Sequence, residues 1–515
     1  MILIHPPVAK PSEPPAGLAK LSGALKQYGI RHEVLDANLE VFLSVIDGPL
    51  SRITAAPDRW TARAFRNILK NHALLKDPDT YRSIDRYKRA VIDLSKSVEM
   101  SVDNGFICGL SDFHHQELSP LRSKDLIRSA EHPELNPFYP YFSKRLSELV
   151  QKGDVSVAGV SLSYLSQALC TFAMIGFLKK EFPGLTIILG GGLVTSWMRN
   201  PGWENPFRGL VDHLVAGAGE YRLLSIMGIE GDQKEHIIPS YDALPLHDYI
   251  SPGFILPYSA AGGCYWNKCS FCPERAEDNP YIPVPIERVT GDLSVLTGKE
   301  HPVMIHFLDN AISPAVLKKL AVARSGIPWY GFARISSLLT DADFCMALKR
   351  SGCVMLKLGL ESGDEGVLDS MQKGIDIGTA SLALRTLKKA GIAAYVYLLF
   401  GTPSETLSEA RKTLEFVVRH KDEISFLNLA IFNMPVCGPE AGRFETTGFY
   451  EGDLSLYTGF SHPKGWDRKQ VRRFLDHEFK RNRAVSEILK NEPPIFTSNH
   501  APFFALERNR PAILN

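Results

Sequence analysis

The chain has 515 residues, 44% of them hydrophobic and 22% charged, and a formal net charge of +1. That length predicts two or three domains, and the near-zero charge excludes a global basic field for nucleic acid. No apolar run is long enough to span a bilayer, and MILIHPPVAKP lacks the features of a signal peptide. The eight cysteines are then expected to be reduced thiols in a cytoplasmic protein, not a disulfide framework.

The first segment alternates strands and helices. MILIH (1–5) reads as a strand, GLAKLSGALKQYG (17–29) as a helix ending at Gly29, and HEVLDAN (32–38) as the next strand. Residues 45–150 are charged and aromatic and predict a mostly helical insertion. The alternation resumes with VSVAGVSLS (155–163), a helix from Gln167 to Glu181, TIILGGG (186–192) and HLVAGAGE (213–220). Such a pattern predicts an α/β fold, a doubly wound parallel sheet over residues 1–230. Ligands of these sheets bind at the carboxyl ends of the strands. Ser161, Ser163, Tyr164, Gly190, Gly191, Gly217 and Glu220 fall there. The glycines admit two readings: close approach of a flat ligand or phosphate to the backbone, or tight turns only. Residues 231–252 are polar and proline-rich and read as an interdomain linker.

The second segment, 253–435, repeats strand–helix units. Strands are expected at 254–260, 303–308, 329–333, 354–360, 393–400 and 424–432. Six units make a partial (β/α)6 version of the eight-unit barrel, whose chemistry sits on loops after the strands. Those loops carry three cysteines, then Asp309-Asn310, Arg334, Glu361-Ser362-Gly363, Gly401-Thr402-Pro403 and Asn433. Polar residues thus gather at one rim of an apolar barrel. Residues 436–515 have charged helical stretches and are expected to form a C-terminal cap.

The first of these loops reads GGCYWNKCSFCPE. Three thiols within nine residues of a reducing-compartment protein suggest metal. A structural zinc ion wants four ligands, so His306 or Cys437 would have to complete it through the fold. Iron–sulfur clusters are usually held by four thiolates; three on a cubane leave one iron open. Lys268 and Arg275 flank the loop and could offset the negative charge. Cys345, Cys353 and Cys170 read as packed thiols, and packing is favoured for Cys437 and Trp197 too. Cys108, near His114-His115, reads as part of a solvated loop.

This loop resembles the cluster loop of the radical S-adenosylmethionine (SAM) enzymes, with one residue more between the first two cysteines than most of that family has. The resemblance implies that Cys264, Cys269 and Cys272 hold a 4Fe-4S cluster whose open iron binds SAM. It implies that Phe271 packs near the adenine, and that Asp309-Asn310 lies near the methionyl amine, although the usual Gly-Gly-Glu is absent. It further implies that Arg334 meets the SAM carboxylate, that Glu361 and Ser362 contact the ribose, and that Gly401 in GTPSET lies by the adenine. The first segment is similar to the cobalamin-binding domain preceding the barrel in one subgroup, without the Asp-x-His-x-x-Gly signature. The resemblance therefore implies cobalamin at the strand ends of residues 1–230, and a methyl transfer to an unactivated carbon of a small-molecule or peptide substrate. An electron donor such as flavodoxin or ferredoxin is the implied partner. A radical cyclase, ring-contracting enzyme or oxidoreductase, and a non-catalytic zinc-stabilised binding protein, are the alternative readings.

Overall fold

The computed structural model describes all residues except 49–57, 104, 154, 232–234, 324–325, 449–451, 497–499 and 506–515. The chain forms two compact units: residues 1–254 together with tail residues 452–456 and 494–496, and the rest of the described chain from Ile255 on. Among the described residues, no helix is long and apolar enough to cross a membrane.

The first unit is built on a five-stranded parallel sheet of order β2-β1-β5-β6-β7. Its strands are β1 (Ile2–His5), β2 (Glu33–Asp36), β5 (Val157–Ser161), β6 (Thr186–Gly190) and β7 (His213–Val215). The crossovers are α1 (Ala16–Gln27), α8 (Leu165–Glu181) and α9 (Gly192–Arg199), with α10 (Glu220–Ile226) after the last strand. Strand order reverses between β1 and β5, so right-handed crossovers carry α1 and α8 to opposite faces. Leu3, Ile188 and Val215 of the sheet pack with Leu18 and Leu25 of α1 and Leu223 and Leu224 of α10. On the other face α8 is buried along most of its length, because the insertion covers its outer side.

After β2 the chain forms α2 (Ala37–Ile46), and the insertion then holds α3 (Arg59–Arg66), α4 (Ile68–Lys76), α5 (Ile84–Glu99), α6 (Ser123–Glu131) and α7 (Tyr139–Gly153). It also contains an antiparallel hairpin, β3 (Phe106–Cys108) with β4 (Phe113–His115). The expected solvated loop around Cys108 is thereby corrected: Phe106 stacks on Phe113 at 5.1 Å, and Cys108 is buried. The linker reading needs a similar correction. Described residues of 231–252 bind along the first unit: the Ser240 amide donates to the Ala19 carbonyl at 2.8 Å, and the Tyr249 hydroxyl to Asp36 at 2.7 Å.

In the second unit six parallel strands run in the order β15-β14-β13-β12-β11-β8. They are β8 (Ile255–Tyr258), β11 (Met304–Phe307), β12 (Trp329–Ala333), β13 (Cys353–Glu361), β14 (Ala393–Phe400) and β15 (Ile424–Ile431). A two-residue ladder, β9 (Ala261–Gly262) with β10 (Ile282–Pro283), closes the cysteine loop, and α11 (Pro273–Ala276) lies inside it. The main helices are α12 (Ile286–Glu300), α13 (Pro314–Val322), α14 (Ala342–Ser351), α15 (Glu365–Ser370), α16 (Ile377–Ala390) and α17 (Leu407–Arg419). Each of the six strands contributes to one core cluster, including Ile255, Met304, Tyr330, Met355, Tyr395 and Phe426.

The part of the tail that belongs to this unit divides between its two ends. A small sheet of β16 (Met434–Pro435), β17 (Thr446–Thr447) and β18 (Tyr457–Phe460) leads to α18 (Arg468–Phe474) and α19 (Arg483–Lys490). His462 and Trp466 lie on the rim loop after β14. His500 instead stacks on Tyr395 at 4.8 Å, and Ala501 joins the core cluster with residues near the strand starts. A cap is therefore only half of what this tail forms; its described end is a plug at the barrel floor.

Candidate active site

The rim of the second unit is assembled around the cysteine loop. Asp309, 3% exposed after β11, accepts the Ala260 amide at 3.0 Å. Burial, against these backbone bonds, raises its pKa to about 6. It thus pins the entrance of the loop, while Asn310 beside it is exposed. The longer spacer between the first two cysteines turns at Asn267, which has φ 42, a left-handed conformation that asparagine tolerates.

The far side of the loop docks on residues 371–374, which sequence reasoning did not single out. Trp266 donates its indole N–H to the Gln372 carbonyl at 3.1 Å. The Ser270 amide bonds the Met371 carbonyl at 3.0 Å, and Arg275 reaches Gln372 Oε1 at 2.8 Å. Gly374 has φ 66, and a Cβ there would meet the Trp266 ring at 2.2 Å. Only glycine fits that contact. No motif in MQKG announces this role; the apolar-to-polar switch after the helix is its only trace.

Cations converge on the thiols. The Arg334 guanidinium lies 4.0 Å over the Trp266 ring and donates to the Lys373 carbonyl. Lys373 pairs with Glu361 at 2.8 Å and sits 5.5 Å from the centre of the Phe271 ring. Glu361 itself is held at φ 70. Burial pushes the Cys269 thiol up, and Lys373 and Arg334 pull it back. Burial pushes Cys272 up to about 11, against backbone bonds from Glu274 and Arg275. Cys264 raises the proton affinity of Cys269, and Cys264 and Cys269 together raise that of Cys272, so the loop's thiols share one field. Protons must therefore leave when metal binds. Among the described residues no three His, Cys, Asp or Glu side chains converge on one metal ion. The zinc completion through His306 does not form: its ring stacks on Tyr330 at 4.3 Å and its Nε2 is 3.2 Å from Lys357 Nζ.

One predicted contact, Ser362, turns inward, and so does Glu405, which takes the amide of another, Gly401. Ser362 is fully buried; its Oγ lies 3.3 Å from the Thr413 hydroxyl and accepts the Asp364 amide. It braces the turn after β13 and offers nothing to a ribose. In GTPSET, the buried Glu405 carboxylate accepts the Gly401 amide and the Trp466 indole N–H. Burial lifts its pKa to about 7. Thr406 caps α17 in a reciprocal box with Glu409. The residues of this motif that remain for a ligand are Thr402, Pro403 and Ser404. With Ser270, Phe271 and Glu440 they line a cavity of about 200 Å³. Glu440 was not foreseen; burial raises its pKa while a bond from Ser270 lowers it. Cys437, partly exposed, lies three residues before it.

In the first unit the predicted residues stand along the carboxyl edge of the sheet. The Ser163 and Tyr164 amides both donate to Gln167 Oε1 at 3.0 Å, and the Tyr164 ring is 58% exposed. Gly190 ends β6. Gly191, at φ 113, brings its Cα so close that a Cβ would meet the Leu162 carbonyl at 2.3 Å. The Gly217 amide donates to Thr195 Oγ1 at 2.9 Å. Ser161, ending β5, lies beside Gly17 at the start of α1. Glu220 departs from expectation: it is 5% exposed and paired with Lys20 at 2.7 Å, so it joins α10 to α1. Trp197 is packed, stacked 6.4 Å from Trp203. At the switch point stand His5 and Gln167, both buried and both passed over in sequence. The strand-end rule applied to MILIH would have found the first.

Residues 258–417 match the family model described as the Radical SAM superfamily. The chain is 25% identical over 311 residues to an uncharacterized methyltransferase, PH0819, of Pyrococcus horikoshii, covering 53% of this chain and 66% of that one. Two solved structures share the fold. The cobalamin-dependent SAM radical enzyme OxsB, with aqua-cobalamin and SAM bound, superposes with TM-score 0.52 and 14% identity, over 82% of this chain and 52% of that one. The radical SAM methyltransferase TsrM of Kitasatospora setae, with tryptophan substrate and aza-SAM bound, gives TM-score 0.50 and 13% identity, over 84% of this chain and 73% of that one. Residues 258–417 of the barrel thus match the Radical SAM superfamily, and most of the chain resembles in fold a radical SAM methyltransferase and a cobalamin-dependent SAM radical enzyme.

Proposed function

We propose that this chain is a cobalamin-dependent radical SAM enzyme that transfers a methyl group to an unactivated carbon. The observation that carries the reading is the cysteine loop, pinned at the end of β8 with two cations beside its thiols. Cys264, Cys269 and Cys272 would hold a 4Fe-4S cluster. Three thiolates on separate irons need not converge on a point as ligands of a single ion must. When bound, the cluster and SAM supply one-electron cleavage to a 5′-deoxyadenosyl radical, and cobalamin supplies the methyl group.

The chain's own residues bind, orient and screen. Lys373 and Arg334 offset the negative charge of the thiolates. Arg334, half-buried on Trp266, is placed to take the SAM carboxylate, with Asn310 on the neighbouring loop. Phe271, Thr402, Pro403 and Ser404 wall the cavity that we assign to the adenine end. Glu361, steered by Lys373, is assigned to the ribose. Cobalamin would lie on the first unit, on the edge formed by Ser161, Ser163, Tyr164, Gly190, Gly191 and Gly217. The open strand ends and the exposed Tyr164 ring support that assignment. An external one-electron donor of the flavodoxin or ferredoxin type completes the proposal.

The test is the metal content of protein purified without oxygen from cobalamin-supplied cells. About four irons and one cobalt per chain are expected. Under reductant the protein should release 5′-deoxyadenosine from SAM, and with substrate S-adenosylhomocysteine as well. Cys269→Ala should lose the iron and the cleavage. Iron without cobalt would remove the cobalamin half; 5′-deoxyadenosine alone with substrate present would leave a cyclase or oxidoreductase. Zinc in place of iron would sink the whole reading.

A further inference from the structure

The cavity between the cysteine loop and the loop after β14 has one charged residue among its described lining, Glu440. The other walls are apolar, from Phe271, Met371, Pro403 and Phe444, or carry hydroxyls. Its volume of about 200 Å³ is below that of sites for whole drug-sized ligands, roughly 300–1,000 Å³. It suits one end of a longer molecule.

Glu440 arrives from beyond the last strand, outside every motif of the barrel. The chain leaves β15, pairs with β18 through β16, and folds back in three successive turns. In these the amides of Gly438, Ala441 and Arg443 donate to the carbonyls of Pro435, Gly438 and Glu440 at 3.0, 3.0 and 2.9 Å. The Ser270 hydroxyl, from the cysteine loop, donates to the Glu440 carboxylate. Arg443 and Arg275 also favour its charged form, against burial.

Acceptors around this cavity are largely committed. The Thr402 carbonyl takes a bond from the His462 ring at 2.8 Å, and the Ser404 carbonyl one from Lys464 Nζ at 2.5 Å. The Met371 carbonyl takes the Ser270 amide at 3.0 Å. A hydroxyl donates or accepts, so the lining serines and threonine cannot tell an amine from a carbonyl. A carboxylate only accepts, at about four positions, and Ser270 fills one of them. An acceptor-only group in a cavity walled by an aromatic ring selects a planar ligand that bears an N–H donor.

Resting on the assignment of this cavity to the adenine end of SAM, we propose that Glu440 sets nucleobase specificity. Its carboxylate accepts the exocyclic amine of adenine and rejects a base with a carbonyl oxygen at that position. Two acceptors facing each other would leave both unpaired, which costs more than the bond gains.

Equilibrium dialysis of the full chain tests this, with its cluster restored and kept oxidised so that SAM stays intact. The probes are SAM and its hypoxanthine counterpart, in which a carbonyl oxygen replaces the amine. The parent should bind SAM at least about tenfold more tightly. Glu440→Gln should weaken SAM severalfold and cut that preference to about twofold or less, because the amide can also donate to the carbonyl oxygen. Glu415→Gln removes the same charge on the exposed side of α17 and should keep the parent's preference. Equal binding of the two probes by the parent would overturn the inference and leave the SAM site standing. So would an unchanged preference in Glu440→Gln. Binding of neither probe by the parent would overturn the cavity's assignment to SAM, and this inference with it.

Discussion

At the scale of single residues, Glu405 is a carboxyl group held out of water, its pKa raised from the ordinary 4.5 to about 7. Between those values the folded chain keeps a proton that the unfolded chain has released. Stability therefore falls as pH rises through this window. The loss between pH 5 and 8 should be on the order of 3 kcal/mol. Thermal midpoints across that range should fall by more, or rise by less, in the parent protein than in Glu405→Gln; parallel profiles would contradict the buried acid. Lys373 offers a second test. It balances Glu361 beside the thiols, so Lys373→Met leaves a carboxylate facing the reduced site. Adding an electron there becomes harder. The cluster midpoint, followed by EPR during redox titration, should fall by roughly tens of millivolts.

At the scale of elements, the loop after β14 separates what a motif suggests from what its residues do. GTPSET stands at the right station, but its Glu and Thr serve the fold: Glu405 ties Gly401 to Trp466, and Thr406 caps α17. Thr406→Ala should cost about 1 kcal/mol of stability while leaving SAM affinity, read by equilibrium dialysis, unchanged. A large loss of affinity would return the threonine to the ligand. The strands themselves were legible. Buried β-branched runs at regular spacing gave both sheets, and the order of polar residues after them gave the rim. The inward turn of Ser362 and the pairing of Glu220 with Lys20 were not legible. Each depends on a partner, Thr413 or Lys20, that only the folded chain brings near. The docking strip 371–374 was hidden for a similar reason: it acts mostly through backbone carbonyls, which have no letter in the sequence. The tail misled because its charged helices drew attention away from His500 and Ala501, the residues that reach the barrel core.

At the scale of the whole molecule, each unit owns a separate core. Two cores of this size predict two unfolding transitions in a calorimetric scan. Saturating SAM should move one of them and cobalamin the other, by mass action on the unit that binds; a single transition moved by both would contradict the assignment of one cofactor to each unit. The segment before the barrel has a practical consequence of its own. Ile238 lies so close to Gly23 that a Cβ on the glycine would meet its carbonyl at 2.1 Å, and Tyr249 closes on Asp36. Anyone building chimaeras between relatives should place the junction at Phe254 and keep tail residues 452–456 and 494–496 native to the first unit, with which they cluster. A splice at residue 230 would hand α1 a foreign strap, and any residue larger than glycine at position 23 would leave that strap no seat.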